Sequence, residues 1–243
     1  MLAALRQTAR DMLGLVVPPM CSVCGDMVDA PGLLGAICRD CRGTLQPCGR
    51  GVCPVCGYPV ALKRGRRCPH CPPRPVYFES ARSALLYHGA LLDAFYAFKY
   101  HGHDELGVPL ARIMFEEIGW FAKEPPARAV LTPVPLHYLR RWQRGYNQSA
   151  ILATEFGRLA GVPTLDGALA RIRHTPRQAL QPRNRRGENV RGAFEVADRS
   201  VVRGAHIGLV DDLLTSGHTV NACARTLMEG GAASVRVLTL ARA

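Results

Sequence analysis

The sequence predicts an α/β fold: a parallel sheet with packed helices, preceded by a small metal-holding head. Three observations predict it. Nine of the ten cysteines lie before residue 72. After Pro72-Pro73-Arg74-Pro75 the composition changes, and short apolar runs begin to alternate with helical patterns, as in a parallel sheet. Near the C-terminus, the apolar run Ile207-Gly208-Leu209-Val210 meets two acids, Asp211 and Asp212. A hydroxyl-rich turn and a helical pattern over about Val220–Glu229 follow. These features divide the chain into residues 1–19, a head over 20–75 and a body over 76–243.

Residues 1–19 read as one amphipathic helix, with Leu2, Leu5, Ala9, Met12 and Leu13 on a face. Arg6, Arg10 and Asp11 interrupt what would otherwise resemble an export signal. No apolar run approaches 18 residues, so no membrane span is expected. With no export signal visible, a cytoplasmic protein is expected. Nearly half of the residues are apolar (48%), enough for a real core.

The head carries four Cys-x-x-Cys pairs: Cys21/Cys24, Cys38/Cys41, Cys53/Cys56 and Cys68/Cys71. Each such turn can place two thiolates on one ion, and two turns complete a tetrahedron, as structural zinc requires. Four sulfurs per ion leave no position open for substrate, so two structural Zn²⁺ sites are expected. Residues 20–72 hold few large apolar side chains, so metal must supply much of their folding energy. A disulfide framework would need an oxidising compartment. Short loops favour pairing in sequence order (21/24/38/41 and 53/56/68/71), and a cross-braced pairing stays open. Gly25, Gly43 and Gly57 follow the turns, where positive φ is often needed. Cys48 is a spare thiol, and Cys223 reads as a small core residue. Lys63, Arg64, Arg66 and Arg67 make the second loop basic.

In the body, strands are predicted over Ala84–Tyr87, Ala129–Val134, Ile207–Val210 and Ser234–Leu240. Helices are predicted over Leu91–Tyr100, about Glu105–Phe121, and Gln148–Leu159. Ligands of parallel sheets collect at the carboxyl ends of strands, where Asp211 and Asp212 fall. The turn Leu213-Leu214-Thr215-Ser216-Gly217-His218-Thr219 can aim backbone N–H groups, hydroxyls and a helix N-terminus at one phosphate. With two carboxylates beside it, the element suits a ribose 5-phosphate.

A second motif joins Thr132-Pro133-Val134-Pro135-Leu136 to Arg140-Arg141-x-x-Arg144-Gly145-Tyr146-Asn147-Gln148. A rigid turn followed by three arginines and two amides suits a dianionic leaving group, because guanidinium forks match phosphate oxygens. A third, Arg171-x-Arg173-x-Thr175-x-x-Gln178 followed by Arg183-x-Arg185-Arg186-x-x-Asn189-Val190-Arg191-Gly192-Ala193-Phe194, reads as a mobile loop and a short strand. Net charge is +12, and arginines outnumber lysines 28 to 3. Acid-free runs over Pro125–Thr154 and Gly167–Gly187 favour polyanions such as pyrophosphate or nucleic acid.

The strand, acidic pair and Thr-Ser-Gly-x-Thr loop resemble the PRPP (5-phosphoribosyl 1-pyrophosphate) loop of type I phosphoribosyltransferases. Together with the cysteine knuckles, Lys99-Tyr100-His101-Gly102, Pro-Val-Pro-Leu, Arg-Gly-Tyr-Asn-Gln and Arg-x-x-Asn-Val-Arg-Gly-Ala-Phe, the chain from about Pro18 to Arg242 resembles the ComF (competence protein F, amidophosphoribosyltransferase-like) family. The resemblance implies a parallel sheet with helices on both faces behind a double zinc ribbon with four cysteines on each ion. It implies that Asp211 and Asp212 hold the ribose hydroxyls and that Thr215–Thr219 cradle the 5′-phosphate. Val210, Leu213 and Leu214, the turn Pro133-Val134-Pro135 and Arg141 complete the expected PRPP site. Arg140, Arg141 and Arg144 are the expected pyrophosphate ligands, with Lys99 as an added cation and Mg²⁺ accompanying PRPP. The segment from Thr175 to Arg191 would close over the reaction. It also implies a cytoplasmic protein used in DNA uptake during natural transformation, alongside the uptake machinery. Three functions stay open: a phosphoribosyltransferase, a PRPP-sensing module without turnover, and a single-stranded DNA handling protein using Trp142, Tyr146 and Phe194 for stacking.

Overall fold

The computed structural model describes residues 20–21, 23–28, 37–60, 68–72, 74–100, 103–122, 124–173 and 192–243, with only the backbone of Tyr100, Phe121, Ala122, Arg140 and Arg141. The expected N-terminal helix, the basic residues of the second cysteine loop and the segment from Thr175 to Arg191 lie outside these residues.

The body is built on a parallel sheet of β1 (Ser80–Leu86), β2 (Ala129–Pro133), β5 (His206–Leu214) and β6 (Ser234–Arg242), in the order β1-β6-β5-β2. Side chains alternate across it. Ile207, Leu209, Val235 and Val237 enter one core, and Val210, Leu238 and Leu240 enter the other, as the two-residue strand period requires. Helices cover both faces, which is why β6 is buried along nearly its whole length. One core is closed by α2 (Ala90–Tyr100), α3 (Gly107–Ile118) and α5 (Gln148–Ala160) through Phe95, Phe98, Met114 and Phe156. The other is closed by α7 (His218–Glu229) through Val220, Cys223 and Leu227, together with an antiparallel hairpin. That hairpin pairs β3 (Leu169–Arg171) with β4 (Phe194–Val196).

The predicted strands and helices are present with shifted ends. The principal difference is β5, which runs through the acids to Leu214 instead of stopping at Val210. β6 pairs with it throughout, aligning Asp211 with Thr239 and Leu214 with Arg242. β2 leaves earlier: its last register pair is Pro133 with Val210. The acidic pair therefore stands where β5 has lost one neighbour and keeps the other. The sequence pattern did not announce α4 (Tyr138–Arg144), a short helix with arginines on it whose described side chains are exposed or half-buried. A further short helix, α6 (Arg199–Val202), is capped by the Asp198 side chain.

In the head, α1 (Arg39–Gly43) follows Cys38. Gly25 and Gly57 have φ of +79° and +66° as expected, whereas Gly43 ends α1 in ordinary helical space. The linker between the two cysteine clusters joins the sheet. Cys48 N–H donates to Ala84 O at 2.9 Å and Leu86 N–H to Gln46 O at 2.7 Å, covering the open edge of β1. Cys48 is buried, and burial pushes its thiol up to about 12, so it is structural and unreactive.

Candidate functional site

Each cysteine cluster gathers in sequence order. The four Sγ atoms of Cys21/Cys24/Cys38/Cys41 lie within 4.8 Å of one another, as do those of Cys53/Cys56/Cys68/Cys71. Cys24···Cys38, Cys53···Cys71 and Cys56···Cys68 are each 3.7 Å apart. A tetrahedron with Zn–S bonds of about 2.3 Å has edges of about 3.8 Å, whereas a disulfide needs about 2.05 Å. The thiols therefore fit zinc and not disulfides, and the cross-braced pairing is excluded. At Cys21 backbone N–H groups favour the thiolate. Burial raises the Cys21 thiol, but N–H groups from Cys38, Cys24 and Val23 outweigh it and bring it to about 6.

The second constellation lies at the carboxyl ends of β2 and β5. Asp211 Oδ1 accepts from the Ser149 hydroxyl at 3.0 Å and from Asp212 N–H at 2.9 Å. Lys99 Nζ lies 2.9 Å from Asp212 Oδ2 and 4.3 Å from the centre of the Phe95 ring. Enclosure by protein raises the Asp211 carboxyl to about 7, and the neighbouring Asp212 charge adds to it. Lys99, the Asp212 N–H and the Ser149 hydroxyl act the other way. In an unfolded chain the same group titrates near 3.9. Between about pH 4 and 7 the folded state thus holds an extra proton, so stability falls as pH rises through that window. A ligand that needs both carboxylates ionised would bind better as pH rises through about 7.

Val134 N–H donates to Val210 O at 2.8 Å, bringing the Pro133-Val134-Pro135 turn beside the acidic pair. Past Leu214 the chain bends through Thr215, Ser216 and Gly217 into α7. Gly217, at φ +77°, is the N-cap of α7 and makes no side-chain cap hydrogen bond. His218 is part of this loop structure: its Nδ1 lies 2.7 Å from the Ser216 hydroxyl.

The Arg144-Gly145-Tyr146-Asn147-Gln148 motif does something other than the sequence suggested. Its two amides do not await a leaving group. Asn147 caps α5 by accepting from Ser149 N–H and donates to Val134 O at 3.1 Å. Gln148 donates to Phe98 O at 3.3 Å and accepts from Arg144 at 3.1 Å. The Tyr146 hydroxyl also donates to Phe98 O. Phe98 O is one of the last four carbonyls of α2, which lack partners inside the helix. The motif therefore holds the end of α2, and with it Lys99, against the acidic pair. Sequence reading puts Lys99 near the site but misses Ser149, which carries no signal beyond standing one residue inside α5.

The arginines divide. Arg144 sits in this bracket, and Arg140 and Arg141 lie on α4 at the same end of the sheet. Arg128 belongs to the opposite end, before β2, where it donates to Arg203 O at 2.9 Å. The acid-free run is therefore not one basic patch. Arg171 stacks on Phe194, 5.4 Å from its ring centre, inside the hairpin. Of the aromatics expected to stack bases, Phe194 is buried at 6% exposure and Tyr146 is committed to Phe98, while Trp142 is 84% exposed. Tyr138, 69% exposed and one turn before Trp142 on α4, was not anticipated.

Comparison with a family model agrees with the metal-holding head. The family "Double zinc ribbon domain" matches residues 12–72. Competence protein F of Haemophilus influenzae is 27% identical over 224 residues, 85% of this chain and 96% of that one. DNA utilization protein YhgH of Escherichia coli (strain K12) is 31% identical over 232 residues, 94% of this chain and 99% of that one. The chain belongs to the competence protein F family. As a family member it combines a mixed α/β body on a parallel sheet with an N-terminal double zinc ribbon. A solved hypoxanthine phosphoribosyltransferase from Staphylococcus aureus overlaps 56% of this chain and 64% of that one, at 12% identity and a TM-score of 0.38. No helix among the described residues is long and apolar enough to cross a membrane.

Proposed function

We propose that this protein is a PRPP-binding, phosphoribosyltransferase-like member of its family that acts in the cytoplasm in DNA uptake during natural transformation. One observation carries the ligand assignment. Asp211 and Asp212 lie near the end of β5, Asp212 three residues before Thr215 and a phosphate-type loop, with Lys99 Nζ 2.9 Å from Asp212. A ribose diol needs the acids, a 5′-phosphate needs the loop and helix N-terminus, and a pyrophosphate needs cations. Relatives named for competence and DNA utilization support the cellular role.

The chemistry would be displacement at ribose C1, with pyrophosphate leaving as a nucleophile enters. The residues act by position and charge. Asp211 and Asp212 orient the diol, Thr215–Thr219 hold the phosphate, and Lys99, Arg140, Arg141 and Arg144 receive the leaving group. Mg²⁺, held with PRPP by Asp211 and Asp212, would neutralise pyrophosphate charge. Pyrophosphate release from PRPP, screened across candidate acceptors, tests turnover. Binding without release under every acceptor would leave a sensing module.

Asp211 gives a second check. Affinity for Mg²⁺–PRPP should rise between pH 6 and 8, and Asp211→Asn should flatten that rise beyond the ligand's own phosphate titration near 6. An identical pH profile in the two proteins would separate Asp211 from the ligand.

A second activity, single-stranded DNA binding, is favoured by Tyr138 and Trp142. They stand four residues apart on α4, hence on one face, with arginines between them. Stacking on such a pair is worth about 1–3 kcal/mol per base. Trp142 fluorescence should be quenched by an oligothymidylate, and Tyr138→Ala/Trp142→Ala should weaken binding about fivefold or more. With three to five phosphate contacts, log affinity should fall with log salt at a slope of roughly −2 to −3.5. Unchanged affinity in the double variant would remove α4 from the contact surface.

A further inference from the structure

The two cysteine clusters are chemically alike but attached to different parts of the body. The first meets the helical face. Arg42, next to Cys41, pairs with Glu116 of α3, and Ile37 packs on the same core as α2, α3 and α5. The second lies against the end of β5 and the phosphate-type loop. Val55 O, between Cys53 and Cys56, accepts from Ala81 N–H at 2.7 Å. Gly57 is so close to β1 that a Cβ there would lie 2.5 Å from Ala81 O. Pro72, following Cys71, packs on Gly217, where a Cβ would meet it at 3.3 Å.

Arg242, the last residue of β6, ties these parts together. It is 2% exposed. Its Nη1 donates to Leu214 O at 2.6 Å, to Thr215 O, and to Ala243 O at 3.0 Å. Its Nη2 donates to His70 O at 3.4 Å, between Cys68 and Cys71. Its guanidinium lies 5.1 Å from the centre of the Tyr58 ring, which itself stacks on His70 at 3.5 Å. One buried guanidinium thus holds carbonyls of the loop and of the second knuckle at once. A planar five-donor fork can do this, and an ammonium cannot hold the same geometry. From the other side, Asn221 of α7 donates to Pro75 O and accepts from Tyr77 N–H, at 2.9 and 2.8 Å. The chain leaving the second cluster is therefore fastened to the helix that the loop begins.

Charge points the same way. Zn²⁺ with four thiolates carries two net negative charges. Arg82, half-buried, donates to Pro54 O at 3.2 Å, next to Cys53, so a guanidinium stands beside that charge. Metal loss would remove that fixed anion from beside Arg82 as well as unfasten the knuckle.

We propose that the second cluster, Cys53/Cys56/Cys68/Cys71, is a wall of the phosphate-type loop, with Arg242 as the positioning residue that transmits its order to Leu214–Thr219. Metal at this cluster then sets whether the loop can hold an anion, whereas metal at Cys21/Cys24/Cys38/Cys41 secures only the head. The consequence for anion binding rests on the ligand assignment proposed above; the coupling does not.

Hydrogen exchange on the full-length, zinc-loaded protein without PRPP tests the coupling. Cys56→Ser should retain one zinc and raise exchange in peptides covering residues 213–219 by tenfold or more. Cys24→Ser should also retain one zinc but leave those peptides unchanged. Arg242→Gln should keep two zinc ions and an unchanged cobalt-substituted thiolate spectrum, yet loosen the same peptides. This last variant decides the matter should Cys56→Ser fail to fold. Unchanged loop exchange in Arg242→Gln overturns the proposal, as does equal loosening by Cys24→Ser. If the exchange pattern holds while wild-type protein fails to bind PRPP, the ligand assignment falls and the coupling stands.

Discussion

Replacing Asp211 and Asp212 together with Asn should lower Mg²⁺–PRPP affinity at least tenfold, measured by calorimetry. Asn keeps the shape of each side chain but removes both negative charges. Hydrogen bonds to charged groups contribute about 1.5–3 kcal/mol each, and tenfold needs only about 1.4 kcal/mol. Folding should survive. Asp211 is enclosed, and its carboxyl is pushed up to about 7, so a neutral amide there removes an electrostatic penalty at pH 8. Lys99 would lose its carboxylate partner and become more available to anions. Inorganic pyrophosphate should therefore bind the double variant as well as, or better than, the wild type, while PRPP binds worse. That opposition separates loss of diol recognition from general damage. Unchanged PRPP affinity in the folded double variant would end the assignment of the acidic pair.

Elemental analysis should find two zinc ions per chain, and Cys24→Ser/Cys38→Ser should retain one. These two thiols lie 3.7 Å apart and belong to one tetrahedron. A cross-braced pairing would place them on different ions and lose both. The energetic effect of complete removal should be large. Structural zinc contributes about 10–16 kcal/mol of apparent binding free energy in small metal domains. Among the described residues, the partly buried apolar neighbours of the second cluster are Val55, Tyr58 and Val60, few for a fold without metal. A strong chelator should therefore abolish protease resistance of residues 20–72. Absence of zinc, with disulfides found by thiol titration, would contradict both the metal sites and the proposed cytoplasmic location.

The two constellations differ in how legible they were. Zinc ligands are local: Cys-x-x-Cys is a turn whose spacing alone brings two sulfurs together, so only the pairing of turns needed coordinates. The acidic pair and its loop are local too, since strand, acids, hydroxyls and helix follow one another within about two dozen residues. The Arg144–Gln148 motif was legible as a motif but not as a mechanism. Its amides look like ligand contacts until Phe98 O and Val134 O, 50 and 13 residues away in sequence, turn out to take them. The acid-free run misled for a related reason. Charge adjacent in sequence is spread by β2 to opposite ends of the sheet, with Arg128 at one and α4 at the other.

The sequence by itself determined the metal chemistry, the parallel α/β class and the position of the hydroxyl-rich turn between β5 and α7. Each follows from spacing within one element or from the two-residue and 3.6-residue periods of apolar side chains. Only the tertiary structure decided what surrounds the acids and the loop. Ser149 and Lys99 reach Asp211 and Asp212 from two different helices, and Arg242 reaches Leu214, Thr215 and His70 from the last strand. Such contacts depend on strand order and on which helix covers which face. Both are set by the packing of the whole core, and no local pattern encodes them.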